Sequence, residues 1–438
     1  MPSKNSYKAN DVSYNAPNFS IRVSGAEIPL GVRQMVQRVE YESADGYADA
    51  LKVHVWDPDF IQPKSVPSVG NLGALNAAGA STRLVDNKIF QPGNEITVAF
   101  GWGTQLRHVG RAIIRKQRPN FPADQMPTIE VIAYTKDVVM MDNSPQPPLD
   151  RVEPGAVKTR AKPGEAKKGE RAFIDKRYSD VVKQRAEFYG FNLDIDQTKD
   201  KPGSFNQKVG MTDYDLVNGL ANITGYVFWV DGDQEGNWTL HFKDPDKMDT
   251  ADVQDKTYTF RYNQGDFSSL LTFEPEIALQ GSVTELFAVT INPKTGEEIK
   301  IRIKEENDDA PEVLATVSGD TLRMVDQAMN GPHTTGSDIK LFFGEYSFEQ
   351  RANRRIDNEA DLTVWARQWF RRQRENFIIA RGSTIGTEHL MARQTHFISG
   401  VGPSLSGFYY FSRVRHVMDA EQGYLCDFTA RKIVPRMP

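Results

Sequence analysis

The 438-residue sequence contains a single cysteine, Cys426, and only seven histidines. One thiol excludes an internal disulfide framework, and synthesis and folding in a reducing cytoplasm is the expectation. The histidines, His54, His108, His241, His333, His389, His396 and His416, are scattered, and no HxxxH, HxH, CxxC or HExxH spacing occurs. That argues against a standard metal site. Long apolar runs are also missing: the longest aromatic-aliphatic stretch, Tyr226 to Val230, is far too short to span a bilayer. The opening MPSKNSYKANDVSYNAPNF lacks the apolar centre of a secretion signal. Nor does one sign of charge dominate. With 53 basic and 58 acidic residues the net charge is −5, which supports solubility but gives no global attraction to nucleic acid.

Phosphate cradles are absent as well. GWGTQLRHVG and GVGPSLSG lie between strand-like segments and match neither GxGxxG nor GxxxxGK[ST]. DGDQEG (Asp231 to Gly236) opens like a calcium loop, but its twelfth position is Phe242 where a bidentate glutamate is needed, so it reads as a hairpin turn. The acidic pairs Glu305-Glu306 and Asp308-Asp309 lie in a polar stretch with nothing to bury them. No catalytic residue, cofactor or metal is expected.

What the sequence does contain is strand rhythm. FSIRVSGAEIP, MVQRVEYES, ALKVHVWDP, EITVAFGW, HVGRAIIRKQR and TIEVIAYT alternate apolar and polar residues between Phe19 and Thr135. In FQPGNEITVAF the turn Pro92-Gly93-Asn94 precedes a strand with Ile96, Val98 and Phe100 on one face. A Pro/Gly/Ala/Ser-rich stretch over 63–81 reads as an extended loop. Residues 151–177 hold nine basic and four acidic residues with several Pro and Gly, the composition of a solvated linker.

Helical spacing follows. Ser179 is placed as the N-cap of YSDVVKQRAEFYG, and Thr212 caps TDYDLVNGLANITG with Gly225 closing it. The strands FNLDI, YVFWVD and NWTLHFKD complete a small α+β unit. NEADLTVWARQWFRRQRENF is the strongest helix, and its Trp365/Trp369 stripe reads as core rather than as a base-stacking platform.

The C-terminal stretch SGFYYFSRVRHVMDAEQGYLCDFTARK is a hairpin. With DAEQ as the loop, Met418 faces Tyr424, His416 faces Cys426, Val414 faces Phe428 and Ser412 faces Ala430. The other side pairs Val417 with Leu425, Arg415 with Asp427 and Arg413 with Thr429. A His416–Cys426 contact is therefore expected. Its neighbours are apolar, which suits a buried thiol and not a nucleophile needing an accessible, electropositive site.

The series FQPGNEITVAFGW, HVGRAII and TIEVIAY, then YSDVVKQRAEFYGFNLDI and MTDYDLVNGLANITGYVFWVD, then GVGPSLSGFYYFSRVRHVMDAEQGYLCDFTARK, resembles the baseplate hub proteins of contractile-tailed bacteriophages, the late-control protein D family. The resemblance covers most of the chain and rests on glycine, aromatic and strand patterns. It implies a β-rich α+β multidomain protein with two tail-tube-like β-barrel domains flanking a small α+β insert domain. The expected divisions are an arm (1–18), a first barrel (19–142), a basic linker (143–172), the α+β domain (173–250), and a second barrel (251–438) carrying a polar insertion (304–340) and a helix (358–377).

The resemblance further implies a homotrimer that joins the sixfold tail tube, or a tube-initiator protein, to a threefold central spike. It extends the partners to a tape-measure protein and the baseplate wedge, with no membrane contact and DNA met only by passage through the lumen. The location implied is the virion tail baseplate, after assembly in the host cytoplasm. A hub with cell-wall hydrolase or host-glycan-binding activity is the alternative. Arg413, Arg415, Asp427 and Arg431 are candidates for inter-subunit or lumen contacts, against the simpler reading of a solvated strand surface.

Overall fold

The computed structural model describes residues 16–57, 83–86, 88–142, 171–174, 176–198, 204–244, 258–263, 265, 269–277, 285–291, 296, 298–304, 347–351, 359, 362, 363, 365, 366, 369, 378–402 and 405–432. The 63–81 loop, and the arm, linker and polar insertion over residues 1–15, 143–170 and 305–340, lie outside the described residues.

The N-terminal block runs β1 (Pro17–Val23), β2 (Ala26–Glu27), the single turn α1 (Leu30–Arg33), β3 (Val36–Ala44), β4 (Ala50–Trp56), β5 (Glu95–Trp102), β6 (Gln105–Asn120), β7 (Thr128–Tyr134) and the short α2 (Val138–Met141). Period-two burial organises these strands, as expected: Leu51, Val53 and Val55 of β4 and Ile96, Val98 and Phe100 of β5 are buried, and the residues between them are not. β8 (Arg171–Ile174) comes first in the α+β unit. The unit continues with α3 (Tyr178–Phe188), β9 (Asn192–Ile195), β10 (Ser204–Gln207), α4 (Asp213–Thr224), β11 (Val227–Gly232) and β12 (Trp238–Lys243).

The C-terminal block contains β13 (Thr259–Arg261), β14 (Leu270–Ile277), β15 (Glu285–Ile291), β16 (Glu298–Lys304), β17 (Ser347–Arg351), β18 (Ile378–Ile385), β19 (Gln394–Ser399), β20 (Gly407–Asp419) and β21 (Gly423–Lys432). The described positions within 358–377 are helical, with Leu362 and Ala366 buried against Leu286, Ala288 and Ile303, and Trp365 and Trp369 packed beside them. The core reading of the tryptophan stripe stands.

Strands of both blocks share one 13-stranded sheet, ordered β14-β18-β21-β20-β3-β4-β7-β6-β5-β1-β2, with β19 also on β20 and β13 on β19. Smaller sheets are β10-β8, β11-β12-β9 and β16-β15-β17. The join is made by β20. One of its sides carries β21; the other carries β19 along residues 407–411 and then β3 along residues 413–419. One contiguous core runs from Ile21 and Phe100 to Phe411 and Ala430.

The closing hairpin keeps the expected register from Met418–Tyr424 to Val414–Phe428. The expected Ser412–Ala430 pair is not formed: a bulge places Phe411 opposite Ala430 and leaves Ser412 between. The physical reason is parity, since one extra residue exchanges the two faces of a strand. Val414, His416 and Met418 are buried on even positions and Tyr409 and Phe411 on odd ones; the bulge lets both sets enter the core. At the tip, Asp419 Oδ1 accepts from the amides of Glu421 and Gln422 at 3.0 and 2.6 Å, and Gly423 (φ 75°) supplies the left-handed residue.

In the α+β unit, Thr212 caps α4 as expected: its Oγ1 accepts from the Asp215 amide at 3.0 Å, and Asp215 Oδ2 accepts from the Thr212 amide at 3.2 Å. Ser179 is not a cap. It lies inside α3, which starts after Arg177, and its hydroxyl accepts from the Thr198 amide at 3.2 Å, while the Asp180 carboxylate accepts from the Arg177 amide. Ser179 is held by Thr198, 19 residues along the chain, rather than by the start of its own helix. The DGDQEG stretch forms the hairpin turn expected, with Asp233 Oδ1 accepting from the amides of Gly236 and Asn237 at 2.8 Å each.

Gly110 of β6 tests the closeness of this packing. A Cβ there would overlap the Tyr41 ring, so Gly110→Ala is expected to cost about 1–3 kcal/mol through overpacking. Urea denaturation should show a lower midpoint with an unchanged slope.

Candidate functional site

β19 and β3 meet end to end against β20, and the meeting point is built from polar residues. Arg393, just before β19, has φ 69° and donates its backbone N–H to Phe411 O at 2.7 Å. This left-handed turn sends its side chain across the seam. Nη2 donates to Ala44 O at 2.5 Å and to Asp49 Oδ1 at 3.0 Å, and Nε stands 3.5 Å from Asp45 Oδ1. Asp49 also accepts from the Tyr41 hydroxyl at 3.3 Å, and its own amide donates to Thr135 Oγ1 at 3.0 Å. The Thr135 hydroxyl in turn donates to Asp137 Oδ1 at 2.7 Å. Ser43 Oγ accepts from the Ala392 amide at 3.1 Å, and the Asp45 amide donates to Ser412 O at 2.9 Å.

The α+β unit reaches the same place. The Trp229 ring lies 5.3 Å from the Arg393 guanidinium and stacks on His241 at 4.4 Å, while the Tyr214 hydroxyl donates to Gly46 O at 3.1 Å. All three parts of the chain therefore converge on Arg393. Burial opposes its charge, but the Asp49 and Asp45 carboxylates outweigh burial and raise its pKa. Burial also raises Asp137 to about 7, with the Thr135 hydroxyl opposing. No spacing in the sequence marks this cluster, since Arg393 and Asp49 are 344 residues apart.

The His416–Cys426 contact exists and is inert. Sγ stands 3.3 Å from His416 Nδ1, the Tyr424 hydroxyl lies 2.8 Å from the same nitrogen, and His416 Nε2 donates to Leu390 O at 2.7 Å. With Nε2 donating to a carbonyl, the imidazole is the neutral tautomer whose Nδ1 accepts. Burial lowers the His416 pKa to about 4 and pushes the Cys426 thiol up to about 12. Both residues are fully buried, and Phe100 stacks on the imidazole at 5.9 Å. The pair has neither thiolate nor access for a substrate.

The four surface candidates lie along β20 and β21. Arg415 and Asp427 meet as placed, with Nη2 to Oδ2 at 2.5 Å. Arg413 faces Thr429 as expected, and its Nε also stands 2.8 Å from Glu42 Oε1 of β3, a partner from the other block that hairpin reasoning could not supply. Arg431 sits over the Tyr410 ring at 4.4 Å. The same face continues with Arg38–Glu40 on β3 and Arg118–Glu130 across β6 and β7, so its charges are compensated strand by strand.

No protein family and no curated protein matches the sequence. Solved structures do match in fold. The 43 kDa tail protein of prophage MuSo2 from Shewanella oneidensis superposes with a TM-score of 0.58 at 10% identity, over 95% of this chain and 98% of that one. A tail protein from Neisseria meningitidis MC58 gives 0.57 at 11% identity over 95% and 96%. An E. coli component of the type VI secretion system, with structural similarity to the bacteriophage T4 tail proteins gp27 and gp5, gives 0.51 at 10% identity over 95% and 77%. The chain has the β-rich fold of phage tail proteins.

Arg393→Met is expected to cost on the order of 3–5 kcal/mol by leaving Asp49 buried without its cation, read by chemical denaturation. Cys426→Ser should cost only about 1 kcal/mol and leave the fold intact. A third outcome concerns pH. Because the folded Asp137 holds its proton to about pH 7 whereas the unfolded one releases it near 3.8, this one group's contribution to stability falls as pH rises between these values. Asp137→Asn removes that loss, so its stability relative to wild type should rise by on the order of 2–4 kcal/mol from pH 4 to pH 8.

Proposed function

We propose that this chain is the structural hub of a contractile tail baseplate, a homotrimeric adaptor between a sixfold tail tube and a threefold central spike. The observation that carries this reading is the likeness of fold to phage tail proteins along 95% of the chain. The physical argument concerns symmetry. Three copies, each with two strand-rich blocks, supply six positions to a ring only if the two blocks keep a fixed relation. Here one sheet runs through both, and a buried ion pair pins the seam.

In this reading the partners are other copies of the chain, the central spike, and the tail tube or its initiator, with the tape-measure protein and baseplate wedge nearby. DNA is met only in passage through the lumen. The virion tail is the working location, reached after assembly in the host cytoplasm. The role in this reading is non-enzymatic, and the neutral, buried His416 and Cys426 are in keeping with it. Arg413, Arg415, Asp427 and Arg431 are proposed as the inter-subunit or lumen-facing set.

Native mass spectrometry of the chain with its spike should give a 3:3 or 3:1 assembly, and a stable monomer with all partners present would contradict the hub. Zymography on peptidoglycan should stay blank. Arg415→Glu that leaves trimer and spike binding unchanged would remove the four charged residues from the contact set.

A further inference from the structure

Arg393 and Arg185 are both buried arginines, and their surroundings are opposite. At the seam, the Asp49 and Asp45 carboxylates favour the charge of Arg393, which bonds three acceptor atoms. In the α+β unit, Arg185 of α3 is only 7% exposed, and among the described residues its guanidinium makes no hydrogen bond. It forms an ion pair with Asp213, but Nη1 stands 3.8 Å from Oδ2, beyond hydrogen-bond reach. Asp213 is already engaged. Its Oδ1 accepts from Arg171 Nη1 at 2.7 Å and from Gln207 Nε2 at 2.9 Å, and its Oδ2 accepts from the Tyr189 hydroxyl at 2.7 Å. Burial and the repulsion of Arg171 outweigh the attraction of Asp213, so the pKa of Arg185 is lowered where that of Arg393 is raised.

A guanidinium carries five donors, and burying one with none of them bonded leaves a deficit that an acceptor would fill. What is covered sets the direction of approach. Nε is enclosed without a partner, while the Nη atoms, which make no hydrogen bond either, keep the side chain's remaining contact with solvent. The Phe188 ring, 63% exposed, lies 5.3 Å from the guanidinium carbon, and the Arg171 side chain, 30% exposed, brings a second cation to Asp213. Two cations on one carboxylate leave this cluster with a net charge of +1. The missing acceptor is therefore small and anionic, and the two Nη groups of a guanidinium match the paired oxygens of a carboxylate or phosphate. We propose that Arg185, with Arg171 beside it, is a binding site for a small oxyanion, a carboxylate or phosphate group. This site does not depend on the hub reading.

The test uses the full chain, with sodium phosphate and sodium acetate as probes against sodium chloride at matched ionic strength. The wild-type thermal midpoint should rise saturably with the bound anion. A rise with both probes assigns a site that takes carboxylates, and a rise with phosphate alone assigns one for phosphate groups. Arg185→Met keeps the length and removes the charge. Its midpoint in chloride should equal or exceed that of wild type, because an uncompensated buried cation is gone, while its apparent dissociation constant for the anion rises about tenfold or more. Arg171→Met, which loses bonds to Asp213 and Gln207, should unfold at lower temperature. If Arg185→Met falls as far, Arg185 is a structural partner of Asp213 and the site is overturned. A rise of equal size in wild type and Arg185→Met is the general effect of excluded salts and overturns it too, as does no rise with either probe. Repeating the titration on the assembled complex separates the sources. A response that vanishes there assigns the oxyanion to an acidic side chain of a partner, and one that persists assigns it to a solute.

Discussion

The structure depends on one buried ion pair. Arg393 and Asp49 sit where two strands abut along a third, and no ladder hydrogen bond can cover the gap between strand ends. An unsatisfied carbonyl or amide there would cost about 1–3 kcal/mol each. The guanidinium, with five donors in a rigid fork, bonds the Ala44 carbonyl and both oxygens of Asp49 at once and stands 3.5 Å from Asp45. A lysine carries three donors on one atom and cannot span the same distances. Burying such a pair is not a net source of stability in general; what it supplies here is direction, since a misregistered seam leaves the buried Asp49 carboxylate without its cation.

The same seam explains the bulge. β20 must serve two parts of the one core in succession, the first lined by Phe260 and Phe428 around Phe411, the second by Phe100 and Tyr424 around His416. A strand of strict alternation could not present Phe411 and Val414 to the same side. Ser412 absorbs the mismatch, and its carbonyl and hydroxyl stay bonded, to the Asp45 amide and the Thr429 carbonyl.

Much of this was legible in local pattern. Alternation identified β4, β5 and the closing hairpin; the Thr212–Asp215 box and Gly225 identified α4; apolar neighbours identified His416 and Cys426 as packing residues. The failures share a cause. Ser179, the Ser412–Ala430 pair and the Glu42 partner of Arg413 were each settled by a segment remote in sequence, namely Thr198, the β19/β3 junction and β3. Arg393 was invisible for the same reason: an arginine before a strand is ordinary until a positive φ and a distant aspartate give it a role.

The hairpin of β20 and β21 carries a consequence for how the protein is made. Synthesis runs from the N-terminus at a pace far slower than local folding, so β3 emerges with its neighbour hundreds of residues away. Phe100 and Trp102 likewise wait for His416 and Tyr424 to cover them. Until β20 and β21 emerge, the nascent N-terminal block is therefore an unsealed sheet with aromatic surface showing. Such a chain is a natural client for chaperones, and its N-terminal sheet is sealed only by the arrival of β20 and β21.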